Sequence, residues 1–445
     1  MDSALIPKGV KRCPIWQFGL GIAVVGAVLL WGVYAMLLVW IKGLNQTNMN
    51  NAYGFALWIW ADLGVIALGG GAFFTGLLRY IFGLDDLKNI INYAVVIGFI
   101  CYSSALLILG IDVGQPLRGW FIFWHANVHS MLTEVAFCLT CYFGVLCIEY
   151  LPLTLENRQV DRVPFFHNLS HNMHEIMAVF AATGAFLSFF HQGSLGGVAG
   201  VLFGRPFAFR EHIFIWPFTF FLFTWSAAAY GPCFTIFITK LTEKIAGKKL
   251  VKDNVIELLA KVAGWMMATY VIAKIIDTWY WATVTAPSMG FTLMDFYTNN
   301  PGSVYGIWIL IAEVGVCGIL PAAILITEKG RKNQVTLWTA VILATFGVLL
   351  NRWVMVLQVL AVPVMSFEGW FRYFPSWQEI ATTILPVAYG VILVMISYRY
   401  LPIFPQEPEL NPIEEEVEPP AEEAETVEEE TQEAAPEGDL APAEA

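Results

Sequence analysis

The chain has 445 residues, 57% of them hydrophobic and only 13% charged, with a mean hydropathy of +0.62. Those figures exclude a soluble globular protein and fit a polytopic membrane protein. The net charge of −12 misleads: residues 406–445 hold 16 acidic residues and no Lys, Arg, His or aromatic residue, and without them the balance is +4.

A membrane span needs about 20 mostly apolar residues. Ten stretches qualify, at about 15–41, 57–82, 90–110, 128–151, 173–191, 212–239, 256–284, 304–326, 335–360 and 379–402. Lipid offers the backbone no hydrogen-bond partners, so these spans are helices, and the alternating pattern of a barrel is absent. The fold class is therefore all-α, a polytopic membrane protein with ten transmembrane helices in a membrane domain covering residues 1–405. The first span follows Lys8, Lys11 and Arg12, is too long for a signal-peptide core and stays as a signal anchor. Residues 406–445, rich in Pro, Glu and Ala, cannot bury enough apolar surface to fold and form a disordered acidic cytoplasmic tail.

Orientation follows from basic residues. Sixteen Lys and Arg lie at the N-terminus, in the connections after the even-numbered spans and at the end of the last one; five lie in the opposite loops. Both termini are thus expected on the cytoplasmic side of the membrane. The opposite loops, 115–130, 193–212, 285–303 and 363–379, are aromatic and weakly charged, which suits a docking face for another subunit. Glu134-Val135-x-x-Cys138 with Glu149 recurs as Glu313-Val314-x-x-Cys317 with Glu328 at the same spacing. That equates spans 4 and 8 and predicts two four-helix bundles, helices 2–5 and 6–9, flanked by helices 1 and 10. Gly69, Gly70, Gly71 and Gly76 in span 2 permit close helix approach.

Ionisable side chains inside spans cost about 2.5–3.5 kcal/mol on insertion scales and so mark function. Asp62, Asp112, Glu134, His191, Lys274, Asp277, Glu313 and Arg352 come from seven spans and all fall in the outer half. Lys274 and Asp277, one turn apart, can neutralise each other, and Arg352 can snorkel to headgroups. Asp62, Glu134, His191 and Glu313 have no oppositely charged neighbour in their own spans. Converting a quinone moves two electrons and two protons, so a site needs a His or carboxylate at each carbonyl and an apolar slot for the ring. Trp58, Trp60 and Phe190 could line that slot. No cofactor site is evident, so electrons would come from a partner.

Two other classes compete. A b-type haem wants histidines facing across a bundle at membrane depth, whereas His125, His129, His167, His171, His174, His191 and His212 all lie at span ends or in loops. Cys138-Leu139-Thr140-Cys141 lacks the further cysteines of an iron–sulfur run, and no metal site is expected. A secondary transporter would want inverted repeats, but spans 4 and 8 run the same way.

Phe190-His191-Gln192-Gly193-Ser194-Leu195-Gly196, then Gly204-Arg205-Pro206, and Tyr373-x-Pro375-Ser376-Trp377-x-Glu379 resemble the NrfD/PsrC-like superfamily of quinone-interacting membrane subunits, in its longer ten-helix branch (HybB/DsrP/QrcD-like). The resemblance covers roughly residues 10–402. It implies a subunit without haem or iron–sulfur cluster, exchanging electrons between a menaquinone or other quinone pool and a ferredoxin-like iron–sulfur subunit on the periplasmic face. Larger assemblies of that family add cytochrome c or a molybdopterin, nickel–iron or sulfur-metabolism catalytic subunit; the lipid bilayer is the other partner, with no nucleic acid. By the same resemblance His191, Glu134 and Asp62 would act on the quinone, with Gln192, Trp58, Phe190 and Arg205 holding it. Glu313, Arg352, Lys274 and Asp277 would belong to a proton path. Gly193 stands where many relatives carry Ser, a departure that leaves the pocket assignment intact.

Overall fold

In a computed structural model the chain is described at residues 2–54, 57–200, 212–213, 216–288, 290, 292, 307–358, 360, 367, 369 and 371–412. Among these residues ten helices are long and apolar enough to cross a membrane. They are α1 (Ile15–Lys42), α2 (Leu57–Ile81), α3 (Asp85–Asp112), α4 (Met131–Leu155), α5 (Pro164–Val198), α6 (Phe218–Ala246), α7 (Asp253–Thr285), α8 (Trp308–Ile326), α9 (Gln334–Leu357) and α10 (Trp377–Tyr400). The protein is an all-α polytopic membrane protein. Beyond the helices, a two-residue bridge pairs His212–Ile213 with Trp216–Pro217.

Apolar composition sets where the helices begin and end, and local chemistry trims them. Asn333 caps α9 by accepting from the Val335 amide at 2.9 Å. Ser376 and Glu379 form a reciprocal capping box at the start of α10. Four helices contain π-helical stretches, Leu77–Ile81, Trp281–Thr285, Ile311–Ile319 and Val354–Gln358. Such widened turns recur at functional positions.

The fifth helix departs from expectation. A turn was expected just after His191, yet the helix continues to Gly200. The reason lies in the small residues themselves. Gly193, Gly196 and Gly197 follow helical i, i+3, i+4 spacing, so they form a face rather than a break. A Cβ at Gly193 would lie 2.3 Å from the Phe220 ring, and one at Gly196 would lie 2.2 Å from the Thr219 carbonyl oxygen. Gly193 and Gly196 seat the first turn of α6, while Gly197 faces Met131 of α4.

Around this contact, α2 packs on α3, α5 and α6; α4 lies against α3 and α5; α6 meets α7 and α9; and α8 lies between α7 and α9. α1 pairs with α10, which also touches α3. The α2–α6 crossing is as tight: a Cβ at Gly231 would sit 2.2 Å from the Gly71 nitrogen. Gly70 and Gly71 thus serve the close approach expected of them, and Gly69 does the same against Cys101 and Tyr102 of α3. Gly76 meets only an ordinary contact with Ala181, at 3.8 Å.

Both ends of the described chain lie on one face. Arg12 pairs with Glu407 at 2.5 Å, and Asp2 pairs with Arg399 at the end of α10. Asn157, between α4 and α5, donates to the Tyr400 carbonyl at 2.8 Å, and the Lys252 amide, between α6 and α7, donates to Gln406 at 3.2 Å. Gln406 and Glu407, the first residues of the expected tail, are therefore buried against the helices, and Glu407–Leu410 form a short helix; tail residues 413–445 lie outside the described residues. At the opposite face, Glu379 ties the α9–α10 connection to the α1–α2 connection. Its carboxylate accepts from the Ser376 and Asn48 amides at 2.8 and 2.9 Å, and from the Tyr373 hydroxyl.

Candidate functional site

His191 lies on α5 toward the face opposite the termini. It is 0% exposed, and neither ring nitrogen makes a hydrogen bond. The Tyr102 ring of α3 stands 5.8 Å away, and the backbone of Val135 in α4 is the polar group beside the imidazole. The adjacent Gln192 is also fully buried. Its amide nitrogen donates to the Ile66 carbonyl of α2 at 2.9 Å and to the Tyr102 hydroxyl at 3.3 Å, while its oxygen stays unpaired. Tyr102 shares a 2.9 Å hydrogen bond with Ser188, one turn before Gln192. Asp62 lies one turn before Ile66 on the same helix face. It is buried, with one carboxylate oxygen unpaired.

One cluster thus draws on α2, α3, α4 and α5. An unpaired buried polar group costs about 1–3 kcal/mol, so unpaired atoms on His191, Gln192 and Asp62 together resist explanation as packing. They suit a ligand that brings hydrogen-bonding groups of its own.

The other expected site residues fall as follows. Glu134 is half-buried in the first turn of α4, adjoining Val135. Trp58 is fully buried but donates its indole N–H to Thr382 of α10 at 2.6 Å, and it packs with Val39, Ile108 and Ile111. Trp60 donates to the Leu349 carbonyl of α9. Phe190 belongs to an aromatic group with Phe186, Phe189 and Phe220 on the other side of α5. Arg205, with Gly204 and Pro206, lies outside the described residues. Tyr102 and Ser188 were missed at the sequence level. A tyrosine and a serine in apolar helices carry no distinguishing signal until a neighbouring helix shows what they face.

A second cluster draws on α6, α7, α8 and α9. Asn351 donates to Glu313 at 2.6 Å and accepts from Arg352 at 2.5 Å. Arg352 also donates to Ser226 at 2.8 Å, and its guanidinium lies 3.8 Å over the Phe223 ring. Lys274 pairs with Glu313 at 3.7 Å. Two expectations change here. Arg352 is 1% exposed and held by side chains, so it does not snorkel. Lys274 pairs across to Glu313 of α8, and the Oδ1 of Asp277, one turn along α7, is buried and unpaired. A small cavity beside this cluster is lined by Thr219, Tyr270, Lys274, Asp277 and Asn351.

Fold and site define a class: a polytopic all-α membrane protein with polar clusters buried between apolar helices. Residues 43–364 match the family described as polysulphide reductase, NrfD. The chain belongs to the NrfD family, and hence among membrane subunits of quinone-interacting oxidoreductases. It is 52% identical to the integral membrane subunit of menaquinone reductase from Nitratidesulfovibrio vulgaris, over 92% of this chain and 98% of the relative. The probable Ni/Fe-hydrogenase 2 b-type cytochrome subunit of Escherichia coli is 25% identical over 82% of this chain and 87% of its own length. A selenate reductase subunit from Mesobacillus selenatarsenatis is 20% identical over 85% and 93%. Among the described residues no three His, Cys, Asp or Glu side chains gather as a metal site, and His191 is the only buried histidine among those whose side chains are described.

Proposed function

We propose that this chain is the quinone-reactive membrane subunit of a respiratory complex, exchanging electrons between the menaquinone pool and an iron–sulfur subunit docked on the periplasmic face. The observation that carries the reading is His191: a fully buried imidazole with two unpaired nitrogens, beside Tyr102 and Gln192, in a chain half identical to a menaquinone reductase subunit. His191 would bond one quinone carbonyl. Asp62 and Glu134, on the helices flanking it, would serve proton exchange, with Gln192 orienting the ring. Trp58, Phe190 and Arg205 complete the proposed binding set.

The helices divide in this reading into two four-helix units, α2–α5 with the quinone site and α6–α9 with Glu313, Arg352, Lys274 and Asp277 handling protons. The termini face the cytoplasm, and the acidic tail extends there. The catalytic partner would be a molybdopterin, nickel–iron or sulfur-metabolism subunit, with or without cytochrome c.

His191→Ala or Glu134→Gln is expected to abolish quinone-linked electron transfer while the complex still assembles. Menadiol or menaquinone turnover at the wild-type rate in either purified variant would refute the assignment. The b-type cytochrome alternative is tested by an optical spectrum of the purified chain, which is expected to show no Soret band.

A further inference from the structure

The segment from Thr219 to Phe223, the first turn of α6, lies between α5, which carries His191, and the Arg352 cluster. On one side it rests on the glycine face of α5, where Gly193 and Gly196 leave room for backbone and ring contact only. The Thr224 hydroxyl, just beyond, donates to the Phe189 carbonyl of α5 at 3.2 Å. That stretch of α5 presents His191 and Gln192 on its other faces. On its far side the turn supplies the seat of Arg352. The Phe223 ring lies 3.8 Å from the guanidinium, its carbonyl accepts from Arg352 at 3.4 Å, and Ser226, one turn on, accepts at 2.8 Å. Thr219 reaches the cavity beside Lys274, Asp277 and Asn351, and its hydroxyl is buried and unpaired.

Close-packed interiors transmit displacement because they have little free volume to absorb it. A flexible side chain between α5 and α6 would act as a buffer; at Gly196 there is none, since a Cβ there would stand 2.2 Å from the Thr219 carbonyl oxygen and 2.9 Å from the Phe223 Cβ, and at Gly193 only the Phe220 ring intervenes. Any shift of α5 as its buried imidazole gains a partner must therefore move Phe220 and Thr219. It must also move the aromatic ring under Arg352. We propose that the first turn of α6 couples the His191 site to the Glu313–Arg352 cluster, with Phe223 as the positioning residue through which the two act on each other. Such coupling is reciprocal, so a change at Arg352 must be felt in binding at His191. The inference rests on the reading of the His191 cluster as the quinone site.

The experiment uses the purified complex and a quinone-site probe, 2-heptyl-4-hydroxyquinoline N-oxide, titrated by fluorescence quenching. Arg352→Lys retains the charge and loses the planar stack; it is expected to change the probe's Kd at least threefold. Phe223→Leu is expected to do the same, and the double variant to match either single one rather than their product. Phe223→Tyr, which keeps the ring, is expected to bind as wild type. Ser226→Ala, a milder cut at the same seat, takes the place of any variant that fails to assemble and carries the same threefold expectation. Effects that multiply independently, or a Kd unmoved by Arg352→Lys, would overturn the coupling. His191→Ala separates the two claims. If it leaves probe binding intact, the quinone-site reading fails and the coupling falls with it. If it abolishes binding while Arg352→Lys has no effect, only the coupling fails.

Discussion

At the scale of single residues, the buried charges behave differently from those at the ends of the fold. Glu313, Asn351 and Arg352 form one hydrogen-bonded group that Lys274 joins by an ion pair, so both signs are present. Removing one member of a buried pair leaves the other uncompensated, which costs about 3–5 kcal/mol. Glu313→Ala is therefore expected to lower the thermal midpoint of the detergent-purified protein by several degrees. Arg352→Lys should cost much less, because the charge persists. Glu379 offers a second case: it is fully buried and accepts from two amides and a hydroxyl. Glu379→Ala would strand those donors at about 1–3 kcal/mol each, loosening the α1–α2 and α9–α10 connections, and protease cleavage near Asn48 would report it. At the terminal face, the hydrogen bond from Arg399 holds the Asp2 carboxyl below its ordinary value of 3.8. A depressed carboxylate contributes stability that is complete above its unfolded pKa and is lost as pH falls through the lowered one. The Asp2–Arg399 tie should thus persist at neutral pH and release only in strong acid, whereas Asp2→Asn weakens it at neutral pH and removes that acid dependence, which thermal unfolding across pH reads out.

At the scale of the helix, the lesson concerns glycine. Hydropathy alone sufficed for the ten spans, since twenty apolar residues without backbone partners have little choice but to be helical. The end of α5 was not legible. A run with glycines at 193, 196 and 197 reads as a turn until its neighbours are known, and here Phe220 and Thr219 of α6 cover the first two and Met131 of α4 the third. The same holds within the polar clusters. Asp62, His191, Glu313 and Arg352 stood out because ionisable groups are rare at such depth. Tyr102, Ser188 and Asn351 did not, because neutral polar residues need a partner to become conspicuous. Their partners are 86, 90 and 38 residues away. Glycine contacts also separate mutations that look alike. Gly231→Ala would place a methyl 2.2 Å from the Gly71 nitrogen, against backbone that cannot turn aside, and is expected to destabilise by about 1–3 kcal/mol or more. Gly144→Ala in α4 meets nothing within 4 Å and should be neutral or slightly stabilising through helix propensity. Thermal unfolding of the two variants side by side makes the comparison.

At the scale of the whole molecule, the question is which way the two polar clusters face. Their residues lie toward the face opposite the termini, since Asp62 is in the second turn of α2, Glu134 in the first turn of α4, Glu313 in the second turn of α8 and Arg352 near the end of α9. Arg12, Glu407, Asp2 and Arg399 lock the ends of the described chain together at the other face. Fixing the side of one terminus therefore fixes the side of both clusters. Sixteen basic residues on the terminal side against five opposite argue for a cytoplasmic terminus. The clusters would then sit beneath the periplasmic headgroups, where electrons from a docked subunit have only a short distance to travel. A fluorescent-protein fusion at the C-terminus is expected to mature and fluoresce, because such reporters fold in the cytoplasm. Alkaline phosphatase inserted between Trp124 and Met131, in the connection from α3 to α4, should be active, because it needs the periplasm. Reversed results at both positions would place His191 and Arg352 near the cytoplasm, and a periplasmic electron donor would no longer suit the site.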